Sequence, residues 1–332
     1  MADGALYGEV FRHGPNWLNR PYFYIMWKIK EVKHATNRQL DHIDLRSDRL
    51  RCKVFPQLGG SLQELVVDNI RIIDGITTDE QGLEDYRNSF KSSVLFPFPN
   101  RIKDGTFEFG ERSYQVGIND LTFNNAIHGL VYDQSFALQE AKDGSGKALV
   151  KLKYRADGSH PGFPFEYELM LTYSFADSGE VNLGFEVTNT GYQTFPFGIG
   201  WHPYFLSANL SRSLFSMEAQ DHFLCTERMI PEEKEAAELN ENFEIDGLNF
   251  DDGYSLARPY CLFETPEYDL RLDFDNGVES FLQIYTPPHR NSMAIEPMTC
   301  ITNALNNGIG LKELDPGRQY TWSVSMNVVT KP

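Results

Sequence analysis

The fold class is decided by the stretch Glu166-Tyr167-Glu168-Leu169-Met170-Leu171-Thr172-Tyr173-Ser174-Phe175. Apolar and polar side chains alternate along it with a period close to two, which is typical of a strand with one buried face. Similar short apolar runs, separated by turn residues, recur at 52–55, 62–67, 70–73, 106–109, 148–154, 181–188, 269–274, 281–285 and 320–328. Many short strands without alternating helices predict an all-β sandwich or barrel.

Helix signals are few. Residues 231–239 read PEEKEAAEL, with Pro at a possible first helical position and good helix formers after it, so we predict one short exposed helix there. The first 40 residues show no clear alternation. We therefore divide the chain into an N-terminal extension of unknown role, residues 1–40, and one β domain, residues 41–332.

Composition excludes several classes of protein. The chain has 332 residues, with 30 Lys and Arg against 47 Asp and Glu, and a net charge of −17. Such acidity argues against a nucleic-acid partner, because neutralising phosphates takes clustered Lys and Arg. No stretch approaches the ~20 apolar residues of a membrane span, and no signal peptide is recognised. Four cysteines without a CxxC pair indicate free thiols, so we expect a cytoplasmic protein with no membrane partner.

Four polar segments stand out from the apolar background. They are Asn100-Arg101 after two Phe-Pro pairs, His128 before Gly129, His202 before Pro203, and Glu296 before Pro297. Polar side chains at strand ends are common in binding sites on a rigid scaffold. Each also has a purely structural alternative, as a core histidine or one half of an ion pair.

A metal site is one alternative for these residues. His128, His202 and Glu296 are the ligand types of a two-His-one-carboxylate site, and His42-Ile43-Asp44 contains an H-x-D pair. The sequence has no HExxH, GxSxG, P-loop or GxGxxG motif. We predict neither a metal nor any other cofactor.

Taken together, the four segments resemble one family, the aldose 1-epimerases or galactose mutarotases. The motifs that carry the resemblance are Asn100-Arg101-Ile102 with Gly105, His128-Gly129-Leu130, His202-Pro203-Tyr204-Phe205, and Glu296-Pro297-Met298-Thr299 with Asn303-Ala304. They stand in the family's order, and the resemblance covers about residues 40–330. It implies a single-domain antiparallel β-supersandwich with a sugar cleft on one face.

The resemblance also implies roles for individual residues. His202 corresponds to the general acid and Glu296 to the general base, and we expect an ionised Glu296 to keep a nearby His202 protonated. Asn100, Arg101, His128 and an Asp three residues before an aromatic would bind the sugar. Asp251 fits that spacing, although the adjacent Asp252 leaves the choice between the two open.

The function implied is the interconversion of α and β anomers of a neutral hexose, of the galactose or glucose type. A small-molecule sugar is then the one expected partner, and the oligomeric state is not predicted. Two other functions remain open: a sugar-binding protein without turnover, and a glycosidase that pairs Glu296 with Asp251. A sugar-phosphate epimerase should show extra Lys or Arg by the cleft, and near Arg101 the sequence offers only Lys103.

Overall fold

The computed structural model of the protein describes residues 26–144, 146–238, 242–274 and 279–332. In chain order its strands are β1 Lys28–Val32, β2 His42–Arg46, β3 Leu50–Phe55, β4 Ser61–Val67, β5 Ile70–Arg71, β6 Ser93–Leu95, β7 Arg101–Lys103, β8 Thr106–Phe109, β9 Arg112–Gln115, β10 Asn125–Ile127, β11 Ala137–Gly144, β12 Lys147–Asp157, β13 Glu166–Ala176, β14 Glu180–Asn189, β15 Phe195–Phe197, β16 Gly200–His202, β17 Tyr204–Leu206, β18 Leu214–Cys225, β19 Pro231–Ala236, β20 Phe243–Glu244, β21 Asp251–Glu264, β22 Tyr268–Phe274, β23 Ser280–Tyr285, β24 Ser292–Met298, β25 Lys312–Leu314 and β26 Gln319–Thr330. The α-helices are α1 Glu80–Ser89 and α2 Ala304–Asn307, and single turns of 3-10 helix lie at Arg38–Leu40 and Leu210–Arg212.

Most strands belong to one large sheet. Its path is β11-β12-β13-β14-β26-β22-β21-β23-β24-β16-β6, with β17 attached to β24, and with β18 attached to β21 and in turn to β19 and β20. A second sheet contains β1 to β5 in chain order. Within the described ranges every pair of neighbouring strands is antiparallel. The prediction of an all-β, antiparallel fold is confirmed.

The alternation in residues 166–175 places a row of side chains in the core. Along β13 the buried residues are Tyr167, Leu169, Leu171, Tyr173 and Phe175, and the residues between them are partly exposed. The paired strand β14 shows the same period of two. Both rows belong to one large apolar cluster that the strands of the two main sheets share.

The helix predicted at 231–239 is wrong. Pro231–Ala236 form the strand β19, which pairs antiparallel with Asp221–Cys225 of β18; residue 239 lies outside the described residues. An isolated helix of this length is marginal in water, because nucleation is costly and few hydrogen bonds follow it. The exposed end of β18 offers backbone partners instead, and local helix propensity is overridden.

The helix α1 has no counterpart in the sequence prediction. The Asp79 side chain caps it by accepting a hydrogen bond from Gly82 N at 2.9 Å, and Phe90 ends it with φ +52°. Its buried face, formed by Leu83 and Tyr86, packs in a small cluster with Leu40, Phe55 and Leu58. Tyr204 Oη donates to Ser89 O at 3.1 Å, so the end of the helix is tied to the His202 segment.

The N-terminal part of the described chain joins the second sheet. Lys28–Val32 pair along their whole length with His42–Arg46, although the division at residue 40 leaves them outside the predicted domain. The structure thus extends the sheet to residue 28, and the division itself stays a prediction. Residues 1–25 lie outside the described residues.

Two further expectations concern the whole chain. The four cysteines Cys52, Cys225, Cys261 and Cys300 are free thiols, as predicted. None of the helices in the described ranges has the length and apolar character that crossing a membrane requires.

Candidate functional site

One cavity of about 690 Å³ gathers the polar residues that the sequence singles out. Its lining includes all six predicted site residues: Asn100, Arg101, His128, His202, Asp251 and Glu296. They come from distant parts of the chain, and the strands β7, β16, β21 and β24 carry four of them. The volume falls in the range typical of small-molecule sites.

His202 and Glu296 are in direct contact in the wall of this cavity. His202 Nε2 lies 3.3 Å from Glu296 Oε1, and the two residues are 5% and 2% exposed. Glu296 stands in the middle of the fully buried strand β24, while His202 ends the short strand β16. Both backbones are therefore fixed by sheet hydrogen bonds, which holds the imidazole and the carboxylate at a set separation.

Burial changes the protonation of both groups. Desolvation lowers the pKa of His202 to about 3, and the positive charge of Arg101 adds to the effect. Desolvation also raises the pKa of Glu296 well above its usual range; the negative charge of Asp251 raises it further and Arg101 opposes the rise. These directions contradict the expectation of a protonated His202. Burial instead favours the uncharged arrangement, in which the carboxyl holds the pair's proton.

His128 approaches the pair from an unusual backbone conformation. Its φ is +64°, and its backbone N–H donates to Asn100 O at 2.9 Å. The next residue, Gly129, has φ +76°, and a Cβ there would lie 2.3 Å from the carbonyl oxygen of Phe96. Only glycine fits this crossing of two segments without displacing one of them. The His128 ring meets the His202 ring edge-on, with centroids 4.8 Å apart.

Arg101 is held in place by its neighbours. Its Nε donates to Asp120 Oδ2 at 2.7 Å, and the two side chains are 12% and 11% exposed. Its Nη1 donates to Asn100 Oδ1 at 3.3 Å, and the guanidinium carbon lies 5.2 Å from the centre of the Phe123 ring. The guanidinium is thus oriented before any ligand binds.

Asp251 lines the cavity at the start of β21. Gln283 Nε2 donates to Asp251 Oδ1 at 2.9 Å, and Gln283 is directly opposite Glu296 in the β23–β24 pairing. Partial desolvation raises the pKa of the Asp251 carboxyl, although the residue as a whole keeps exposed surface. The adjacent Asp252 is not in the lining; its Oδ1 lies 3.0 Å from His222 Nε2. Of the two acids, Asp251 is the one that lines the cavity.

Among the described residues, one group could hold a metal: His202 and Glu296 together with the neighbouring His128. One ligand atom from each of His128, His202 and Glu296 lies within 4.8 Å of the others. The H-x-D pair is elsewhere: His42 Nδ1 lies 3.1 Å from Leu40 O, and Asp44 pairs with Arg46. The prediction that the protein uses no metal stays a prediction.

Asp120 and Gln283 are among the cavity residues that sequence reasoning missed. Asp120 lies in a loop with no motif, so its pairing with Arg101 has no local signal. Gln283 carries one: it is a polar residue inside the apolar run 281–285, and it is 5% exposed. A buried amide must find hydrogen-bond partners, which makes such a residue a site candidate.

The Lys and Arg side chains that line the cavity each form an ion pair with a carboxylate. Arg87 Nη1 lies 3.5 Å from Glu84 Oε2, Lys91 Nζ lies 3.1 Å from Asp74 Oδ1, and Arg101 is paired with Asp120. These three are the Lys and Arg side chains in the described lining. Each therefore has a carboxylate partner before any ligand arrives.

Comparisons with known proteins identify the family of the chain. A family model described as Aldose 1-epimerase matches residues 41–327. The uncharacterized protein YihR of Escherichia coli (strain K12) is 27% identical over 275 residues, which make up 79% of this chain and 85% of YihR.

Two solved structures share the fold. A galactose mutarotase-like protein from Clostridium acetobutylicum has a TM-score of 0.79 and 21% identity, covering 92% of this chain and 99% of that chain. Galactose 1-epimerase from Lactobacillus acidophilus NCFM has a TM-score of 0.77 and 17% identity, covering 93% and 100%. At these identities the likeness establishes the fold and nothing finer.

Proposed function

The chain belongs to the aldose 1-epimerase family, as its motifs predicted, and from that premise we propose that it interconverts the α and β anomers of a neutral hexose. Galactose and glucose are the proposed type of substrate. The observation that carries the proposal is the 3.3 Å contact between His202 Nε2 and Glu296 Oε1 in the cavity wall. The protein would then be an isomerase that works by acid/base chemistry without a cofactor.

The reaction needs one base and one acid at a hemiacetal. The base removes the proton of the hydroxyl on C1, and the electron pair of that O–H bond forms the carbonyl. The bond between C1 and the ring oxygen breaks, and the ring oxygen takes a proton from the acid. Rotation about C1–C2 then presents the other face of the aldehyde, and the reverse steps close the ring. Each positioned proton-transfer group contributes typically ~10²–10⁴-fold.

In this proposal Glu296 takes the proton from the C1 hydroxyl and His202 gives one to the ring oxygen. A pair that shares one proton always contains one donor and one acceptor, so the same two groups serve opening and closing in turn. Arg101 favours the ionised form of Glu296. Hydrogen bonds from sugar hydroxyls to the pair would further stabilise its charged form, in which Glu296 is ionised and His202 is protonated.

The remaining residues of the cavity would bind the sugar. Arg101 and Asn100 offer donors and an acceptor, His128 offers ring nitrogens, and Asp251 offers carboxylate oxygens. Among the aromatics of the lining, Tyr204 stacks on His202 with ring centroids 5.0 Å apart. These contacts would hold the hemiacetal against His202 and Glu296.

A neutral substrate fits the charges better than a phosphorylated one. Recognition of a phosphate draws on cations that are free to form charge-assisted hydrogen bonds. The three basic side chains of the described lining already have carboxylate partners. This supports an uncharged hexose as the substrate.

Polarimetry on freshly dissolved α-D-galactose and α-D-glucose tests the proposal. We expect the wild type to accelerate the approach to the equilibrium rotation, and Glu296→Gln and His202→Asn each to lose most of that acceleration. Glu235→Gln is the matched control, because Glu235 also contacts a histidine, with Oε1 3.3 Å from His222 Nδ1, but lies outside the cavity. Near-normal rates in either cavity variant would refute the assignment.

Two other functions give different results with the same protein. A sugar-binding protein would bind galactose in equilibrium dialysis and leave the rate of mutarotation unchanged. A glycosidase would release nitrophenol from a nitrophenyl galactoside, with Glu296 and Asp251 as its two carboxyl groups. Either result would replace the proposed epimerase.

A further inference from the structure

A second cavity is lined in part by residues that follow His128 in the chain, among them Leu130 and Gln134. Its volume is about 600 Å³, and it is formed by the end of β12, the start of β13 and the loops 130–134 and 158–163. A smaller cavity of about 260 Å³ shares Asn119 with the first cavity, and Leu130, Gln134 and His160 with the second. Neither the acid/base pair nor Arg101 lines the second cavity.

One wall of the second cavity carries a tyrosine hydroxyl that has no protein partner. Tyr167 is 2% exposed, and its hydroxyl has no hydrogen-bond partner among the described residues. The hydroxyl is not one of the fully enclosed unpartnered atoms, so it opens onto the cavity that Tyr167 lines. A hydroxyl that faces an open cavity and has no protein partner is available to donate to and accept from a bound ligand.

Six residues further along the same face of β13, the Tyr173 hydroxyl has a partner in the protein. Its hydroxyl donates to Gly60 O at 2.8 Å, and the residue is fully buried. The β13 strand therefore carries one tyrosine whose hydroxyl is used by the fold and another whose hydroxyl faces an open cavity. This contrast separates Tyr167 from the other core aromatics of its strand.

The walls of the second cavity combine aromatic faces with a polar rim. Tyr154 and Tyr167 lie with ring centroids 6.0 Å apart, and Phe163 completes the aromatic side. The Tyr154 hydroxyl likewise has no hydrogen-bond partner among the described residues, and Arg155 and Asp157 are exposed at the rim. A pyranose has the matching surfaces, since its C–H faces are apolar and its edge carries hydroxyls that donate and accept.

We propose that this cavity is a second saccharide-binding site, in which the Tyr154 and Tyr167 hydroxyls bind a neutral sugar away from the acid/base pair. The choice of a neutral hexose as ligand rests on the proposed function. This site is distinct from the proposed catalytic one, because neither His202 nor Glu296 lines it. It would hold a second sugar beside the one undergoing mutarotation.

Equilibrium dialysis with radiolabelled D-galactose tests the site on the full chain. We expect two galactose molecules per chain in the wild type. Tyr167→Phe should weaken one of them about fivefold, as the loss of one hydrogen bond implies, and Tyr154→Phe/Tyr167→Phe should remove it from the measurable range. Tyr173→Phe is the matched control, in which both galactose molecules should remain at wild-type affinity.

Thermal stability and the rate of mutarotation serve as controls for the binding measurements on the tyrosine variants. Tyr167→Phe should not lower Tm, because its hydroxyl has no protein partner, whereas Tyr173→Phe should lower it. Polarimetric rates of both tyrosine variants should stay within twofold of the wild type. One galactose per chain in the wild type, or two that the Tyr154 and Tyr167 variants do not affect, would overturn the proposal. Tyr-dependent binding in a protein without mutarotation would uphold the second site and refute the proposed function.

Discussion

The Arg101–Asp120 ion pair offers the sharpest test of how the site is built. Asp120→Asn keeps the shape of the side chain and removes the charge that faces Arg101. We expect Arg101 to lose its fixed orientation in the cavity, and the neutral amide to replace the carboxylate at 2.7 Å poorly. Asp120 touches no proposed reacting atom, so its effect must pass through Arg101.

The magnitude follows from the burial of the pair. Removing one partner of a fully buried ion pair costs about 3–5 kcal/mol. Here the side chains keep 12% and 11% exposure, and Asn100 and Phe123 still contact the guanidinium. We therefore take the range of a hydrogen bond to a charged group, about 1.5–3 kcal/mol. If the same free energy is lost from the transition state, kcat/KM falls about 10- to 150-fold.

Polarimetry at several galactose concentrations measures the kinetic effect, and urea titration measures the free energy of unfolding. We expect KM to rise more than kcat falls, because Arg101 binds the sugar and transfers no proton. Asp104→Asn is the control: Asp104 pairs with Arg228 at 2.8 Å, but the two side chains are 50% and 37% exposed. Such pairs contribute about 0–1 kcal/mol. If Asp120→Asn behaves like Asp104→Asn in both assays, the reasoning about Arg101 is refuted.

Three further predictions concern protonation, backbone and metal. In the folded protein the pKa of His202 is about 3, below its usual value of ~6.5. As pH falls, His202 is therefore protonated in the unfolded chain before it is protonated in the folded one. This lowers the free energy of unfolding of the wild type between pH ~6.5 and 3. Urea titrations at pH 7 and 4.5 measure the drop in the free energy of unfolding between the two pH values. We expect this drop to be smaller in His202→Asn than in the wild type, by up to ~1.4 kcal/mol per pH unit. Equal drops in the two proteins would contradict the pKa shift. Gly129→Ala should lower Tm and the rate together, because its Cβ would meet Phe96 O at 2.3 Å; unchanged thermal melts would show that the crossing adapts. Dialysis against EDTA should leave the polarimetric rate unchanged, whereas added Zn²⁺ should inhibit by occupying the acid/base pair; loss of activity in EDTA would indicate a required metal.

The sequence predicted the site best where a polar side chain lies next to a residue that restricts the backbone, such as Gly or Pro. Each of the predicted residues His128, His202 and Glu296 has a Gly or Pro after it, and the structure brings all three into one cavity. The period of two in residues 166–175 likewise predicted the strand β13 and its buried face. In both cases the structural feature depends on neighbouring residues in the chain, so a local sequence pattern could predict it.

What the sequence did not predict depends on contacts between distant segments. Asp120 contacts Arg101 because the loop that carries it folds against β7, and no sequence motif near Asp120 predicts this contact. Pro231–Ala236 follow β18 as a strand because that strand has a free edge, not because of their own propensity. The protonation of His202 was also beyond the sequence, since burial of the whole pair decides it.

The central claim is that His202 and Glu296 act as one acid/base unit. A double-mutant cycle with Glu296→Gln, His202→Asn and the double variant, followed by polarimetry on α-D-galactose, tests it most directly. We predict a loss of about 10²–10⁴-fold in each single variant, and little further loss in the double variant, because removing one member already disables the unit. Single variants with near-wild-type rates, or losses that multiply in the double variant, would contradict it.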